Sequence, residues 1–161
     1  MSNRDPRQRF DYQNWLNSQV AERAKASLTA RDAAFAENNA GVTRAALTQY
    51  LNVCAAALGH SPSPTEIDGG AFIEQRFGSW DNAMTAAGLP RPKTTPKLNN
   101  TLRYRMEKEK LLPLFLAERK EKTRQKQIEK NLRQGQLAHE KAVKRRAEKE
   151  AAKAAEQEVS C

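Results

Sequence analysis

The stretch QRFGSWDNAMTAAGLPRP, residues 75–92, packs two glycines, a tryptophan, an alanine-rich run and two prolines into eighteen positions. Each punctuation residue has a local meaning. Gly78 sits where one helix must end, and Ser79 is placed to cap the next. Trp80, Ala83, Met84 and Ala87 then fall on one helical stripe. Gly88 followed by Leu89 matches a Schellman ending, with the apolar residue just past the glycine. Pro90 and Pro92 forbid continuation. The stretch therefore predicts two helices joined by a tight turn, with Phe77 and Trp80 anchoring one core.

Working upstream, Thr43 is a good N-cap, and Val42 and Leu47 occupy the two positions of a hydrophobic staple. Leu47, Leu51, Cys54 and Leu58 follow at steps of four, three and four, a core-facing stripe that Gly59 ends. Ser63-Pro64-Thr65-Glu66 has the form of a capping box with proline at the first helical position. It predicts a short helix, cut off by Gly69-Gly70. Another runs over 71–77, with Ile73 and Phe77 on one face. The expected unit, residues 42–92, is a small module of four helices. Its expected core is Leu47, Leu51, Leu58, Phe72, Ile73, Phe77, Trp80, Met84 and Leu89. It holds its own caps and aromatics, which predicts that a fragment of about 42–92 folds alone. Trp80 reads as a core anchor rather than a stacking platform for a ligand.

Leu58-Gly59, Pro62 to Thr65, Arg76-Phe77-Gly78-Ser79-Trp80, Ala83 and Ala86-Ala87-Gly88-Leu89 together resemble the homing-endonuclease-associated repeat. That family is a short helical DNA-binding module found beside HNH-type nuclease domains and in small stand-alone proteins of bacteria and phages. The resemblance covers residues 44–92, in one copy. It implies a helix-turn-helix-like unit whose Arg76-bearing helix faces DNA. Gln75 can bond an adenine edge, and Arg76 a guanine edge or a phosphate. Glu74, and Asp68 just before the helix, oppose phosphate. The alternative for Arg76 is a surface pair with Glu66 or Asp81.

The flanks read differently. Residues 1–41 contain an N-terminal helix, free of proline and glycine from 11 to 38, with Tyr12, Leu16, Val20, Leu28 and Phe35 on a thin apolar stripe. It is expected to dock on the module or to meet a protein partner through Trp15, Leu16 and Val20. Residues 93–98 are a linker. Residues 99–161 form a basic helical arm, opening with Leu98, Leu102 and Met106 at steps of four as a docking face. Pro113 should kink or restart the helix. Beyond it, strong helix formers dominate. No a/d heptad persists: Ile128 and Leu132 match, but Gly135 and His139 follow. The fold class expected is all-α.

Charge separates the parts. Residues 1–42 carry six basic and five acidic side chains, residues 43–98 five and four, and residues 99–161 seventeen and ten. Most of the +9 net charge thus lies in the last third, which points to a polyanionic partner, nucleic acid foremost. The candidate contacts are Gln75 and Arg76 in the module, with Arg119, Lys120, Lys122, Arg124, Lys126, Lys141, Lys144, Arg145 and Arg146 in the arm. No run is apolar and long enough to span a bilayer and no export segment is visible, so a cytoplasmic, nucleoid-associated protein is expected. Cys54 reads as a small core hydrophobe and Cys161 as a terminal thiol, so neither a metal site nor a disulfide is expected. Two histidines 79 positions apart, no strand-like stretch and no phosphate loop build neither a nuclease centre nor another catalytic site. The reading is a non-enzymatic DNA-binding protein, a small regulator or accessory factor, without cofactor. An RNA- or ribosome-associated protein, and a helical interaction protein using the repeat as scaffold, are the alternatives.

Overall fold

A computed structural model describes residues 11–159, with side chains described through residue 152. Cys161 and the first ten residues lie outside them. The described residues are all-α, with five α-helices and no strand. Those up to Phe115 form one compact unit, and those from Leu116 onward a second.

Helix α1 (Tyr12–Asn38) starts where the Asp11 carboxylate accepts from the backbone N–H of Gln13 and Asn14. Helix α2 (Arg44–Leu58) starts on the Thr43 hydroxyl, which accepts from Ala46 N–H at 3.3 Å, and ends on Gly59 at φ 75°. Helices α3 (Gly70–Phe77) and α4 (Trp80–Ala86) meet through Gly78, at φ 83°, and the Ser79 cap. The α4 ending is a Schellman motif: Leu89 N–H donates to Met84 C=O at 2.9 Å, and Gly88 N–H to Thr85 C=O at 3.1 Å.

Leu47, Leu51, Ile67, Ile73, Trp80, Ala83 and Met84 form the buried centre of the module. Leu58, Phe72, Phe77 and Leu89 pack, partly buried, around them. Trp80 is 7% exposed, and its indole N–H donates to the Pro62 carbonyl at 3.0 Å, so the polar edge of the ring is satisfied inside the core. Phe35 of α1 completes this core from outside the stretch. Its ring lies 5.0 Å from Tyr50 and 6.2 Å from Phe72, centroid to centroid.

Three expectations are corrected here. Residues 63–68, expected to form a fourth helix of the module, make a tight turn. The capping-box bond forms, with Ser63 N–H donating to Glu66 Oε2 at 2.9 Å. However, Ser63 Oγ turns to Thr65 Oγ1, and Gly69, at φ 72°, takes the chain out of the helical region within one turn. The module therefore has three α-helices and a turn. Second, Leu16 and Val20 are not available to a partner, because Phe115 and Leu111 of the chain's own last helix cover them. Trp15 packs partly buried in the same cluster, its ring centroid 6.0 Å from that of Phe115. Third, Leu102 and Met106 do not dock, being 51% and 60% exposed.

The docked face of helix α5 (Leu102–Val159) is Tyr104, Glu107, Leu111 and Phe115, and Thr101, just before the helix, is buried with them. Leu16 and Val20 meet Phe115, whereas Ala24 and Leu28 meet Tyr104, so α1 and the start of α5 run antiparallel. Pro113 lies inside α5 and does not restart it. It removes one donor, and strong helix formers on either side carry the helix through.

A partly buried charge cluster, centred on Arg103 and Glu107, ties these elements together. Arg103, 11% exposed, forks onto Asp32, donating to both carboxylate oxygens at 2.9 Å. Its Nη1 also donates to Asp68 Oδ1 at 2.8 Å and to the Ile67 carbonyl at 2.6 Å. Arg31 reaches Asp68 at 2.6 Å and Glu107 at 3.3 Å, and Glu107 accepts from Ser27 Oγ at 2.7 Å. Helix α1, the 63–68 turn and α5 thus share one network.

Candidate nucleic-acid interface

Helix α3 buries Ile73 and half-buries Phe72 and Phe77, so its other side is left to Glu74, Gln75 and Arg76, all exposed. Arg76 pairs with neither Glu66 nor Asp81. It donates to the Val42 carbonyl at 2.9 Å and lies 6.0 Å from the centroid of the Phe72 ring. Glu66 faces His60 at 3.6 Å, and Asp81 pairs with Arg91 at 3.1 Å. Arg76 is therefore held at the start of α2 while its guanidinium stays on the surface.

A second cation stands nearby. Arg44, the first residue of α2, lies 5.6 Å from the centroid of the Phe77 ring. Arg44 and Arg76 thus both stack on phenylalanines of α3 and both adjoin the N-terminal end of α2, where helical N–H groups favour negative charge. Arg44 was not among the expected contacts. Its position immediately after the cap residue was the cue.

Asp68 loses the repulsive role expected for it. Its carboxylate is paired with both Arg31 and Arg103. Burial raises the pKa of the neighbouring Asp32, but the hydrogen bonds from Arg103 and Gly69 N–H and the charges of Arg103 and Arg31 outweigh it and hold the carboxyl below its ordinary value. Burial likewise opposes the charge of Arg103, and the bond and charge of Asp32, followed by Asp68, raise it regardless. Of the exposed acids on this side, Glu74 alone lies on α3 itself.

In the second unit every described side chain is exposed. At 3.6 residues per turn, Arg119, Lys122, Lys126, Lys141 and Lys144 fall on one face of α5. Lys130 and Arg133, not among the expected contacts, fall there too. Lys120, Arg124, Arg145 and Arg146 lie off that face. The stripe from 119 to 144 runs about 38 Å along the helix axis. Its members step by three or four residues, apart from the place where Leu137 interrupts, and that periodicity was readable in the sequence.

Among the described residues no group of three or more His, Cys, Asp or Glu side chains could hold a metal ion. Nor is any helix among them long and apolar enough to cross a membrane.

Residues 42–90 match the family model of the homing endonuclease associated repeat, in a single copy. The matched segment runs from the residue before the α2 cap to the proline after the α4 Schellman ending, so it contains α2, the 63–68 turn, α3 and α4. No curated protein and no solved structure matches the chain.

Proposed function

We propose that the protein binds nucleic acid without catalysing a reaction on it. In this reading the repeat module meets duplex DNA through Gln75, Arg76 and Arg44, and the arm neutralises phosphates. The observation that carries the reading is the stripe of cations along one face of α5, from Arg119 to Lys144. A helix face of this kind fits a polyanion, whose successive charges it can meet without base-specific contacts. The match to a repeat named for its association with homing endonucleases supports DNA over RNA as the partner. The exposed pair Gln75 and Arg76 supports a share of base readout. A small regulator or accessory factor of DNA transactions, at the nucleoid, is the role that follows.

Salt dependence tests it. Replacing Lys126, Lys130, Arg133, Lys141 and Lys144 with glutamine removes about five phosphate contacts, each contributing about 0.9 to the slope of log affinity against log salt on duplex DNA. The slope should flatten by about 4–5, with all DNA sequences weakened alike. Gln75→Ala together with Arg76→Ala should keep most of the slope and reduce the preference between two DNA sequences. An unchanged slope in the five-glutamine variant would refute the phosphate role of the arm. Tighter binding to a structured RNA than to duplex DNA at equal salt would move the reading to RNA.

A further inference from the structure

The face of α5 opposite the cationic stripe has no partner within the described chain. Gln125, Ile128, Leu132, Gly135, His139 and Ala142 succeed one another there at steps of three and four, a line that a continuous helix keeps on one side. Ile128 is 48% exposed and Leu132 63%, with Val143 at the edge of the line 50% exposed. An open groove along the line runs past Ile128, Leu132, Gly135 and His139.

Gly135 is the odd residue in this line. Glycine inside a helix costs about 1 kcal/mol relative to alanine, and nothing among the described residues requires it. Its φ is not positive, and a Cβ built there would meet no atom within 4 Å. A side chain is therefore missing beside Leu132, in the middle of the line, where the described residues leave room for one. Close approach by something outside the chain would account for it.

The flanking charges say what approaches. If the same segment of a second copy lies parallel and in register, each residue on one flank reaches the residue five positions further along on the opposite flank of its partner. Arg124 then meets Glu129, and Arg145 meets Glu150, both pairs of opposite charge. The two pairs between them are uncharged, Asn131 with Gln136 and Ala138 with Val143. No flanking pair over this span is repulsive. The antiparallel arrangement centred on Leu132 and Gly135 sets Arg124 beside Arg145, which repel. Among the described residues Arg124 pairs with Glu121, at 3.9 Å and with both side chains more than half exposed.

We propose that the α5 arm pairs with a second copy of itself, parallel and in register, along the line from Gln125 to Ala142. Glu121 and Arg146, which would face their own copies, bound the seam at its two ends. Few large apolar side chains enter it, so the association is weak and concentration-dependent, like other small interfaces. Arg119, Lys126, Lys130, Arg133, Lys141 and Lys144 point away from the seam, so pairing leaves the cationic stripe outward. The pairing does not rest on nucleic-acid binding.

The test is sedimentation equilibrium of the full, nuclease-treated chain over roughly 1–300 µM, the range suited to an interface of this size. The expected mass rises with concentration from the 18.1 kDa monomer toward twice that value. Leu132→Glu should abolish the rise. Arg124→Glu places like charges together in the parallel pair but opposite charges in the antiparallel one. It should weaken association about tenfold, and an equal mixture with Glu129→Arg should restore it as a mixed dimer. A chain that stays at 18.1 kDa throughout would overturn the proposal. So would Arg124→Glu associating as well as or better than the parent, or a mixture that fails to recover.

Discussion

Arg103 offers the most informative perturbation of the fold. Arg103→Met keeps most of the stem's packing and removes the guanidinium. Four hydrogen bonds go with it, two to Asp32 and one each to Asp68 and the Ile67 carbonyl. Breaking one side of a fully buried ion pair costs about 3–5 kcal/mol. The partners here are less severely stranded. Asp68 keeps Arg31 at 2.6 Å, and Asp32, about a third exposed, keeps Gly69 N–H at 2.9 Å. Discounting for that solvent access, the loss should be about 2–3 kcal/mol. Urea denaturation followed by tryptophan fluorescence reads it well, because Trp15 and Trp80 report on the α1–α5 contact and on the module core respectively. Acid adds a second readout. The Asp32 carboxyl is held below its ordinary value of 3.8, because the Arg103 and Gly69 bonds and the nearby guanidinium charges outweigh the opposing effect of burial. A depressed carboxyl contributes stability that is present above about pH 3.8 and lost as pH falls through the folded value. The gap between parent and Arg103→Met should therefore be widest near neutrality and narrow below that point. A variant within about 0.5 kcal/mol of the parent at pH 7, the scatter of ordinary surface substitutions, would refute the claim that this cluster holds α1, the turn and α5 together.

Two further substitutions probe the module. Trp80→Ala removes a buried ring whose indole N–H bonds Pro62, and should cost about 3–5 kcal/mol, read as a lowered urea midpoint. Gly70→Ala would drive a Cβ into the Pro64 carbonyl, which is backbone and cannot swing aside. A loss of about 2 kcal/mol or more is expected, whereas Gly41→Ala, with no atom near the added carbon, should be tolerated.

Much of the module was legible because its punctuation is local. The Thr43 and Ser79 caps, the Gly59 ending and the Gly88-Leu89 ending each depend on bonds spanning a few residues, and side-chain type alone specifies them. The stripe through Leu47 and Leu51 likewise follows from helical period. Length and charge made the arm readable as a helix, and its cationic face was there in the spacing. What the Thr43 to Pro92 stretch could not disclose is that Phe35 completes its core.

Tertiary structure decided the pairings between distant segments. The docked face of α5 carries Glu107 and is flanked by Arg103, and a charged residue on a stripe reads as exposed until its partners are known. Those partners, Ser27 and Arg31 for Glu107 and Asp32 and Asp68 for Arg103, lie 35 to 80 positions away in the chain. The same distance hid the cover over Leu16 and Val20, since Phe115 lies nearly a hundred residues further on. The 63–68 turn shows the converse. Its capping-box bond formed as the sequence promised, but a cap supplies about 1 kcal/mol, and a helix needs room to propagate before that bond can hold one. Gly69 and Gly70, pressed against Phe35 and Pro64, leave it none. Short-range bonding chemistry is written in neighbouring residues, whereas the burial of a charge or an apolar face depends on which remote segment arrives to cover it.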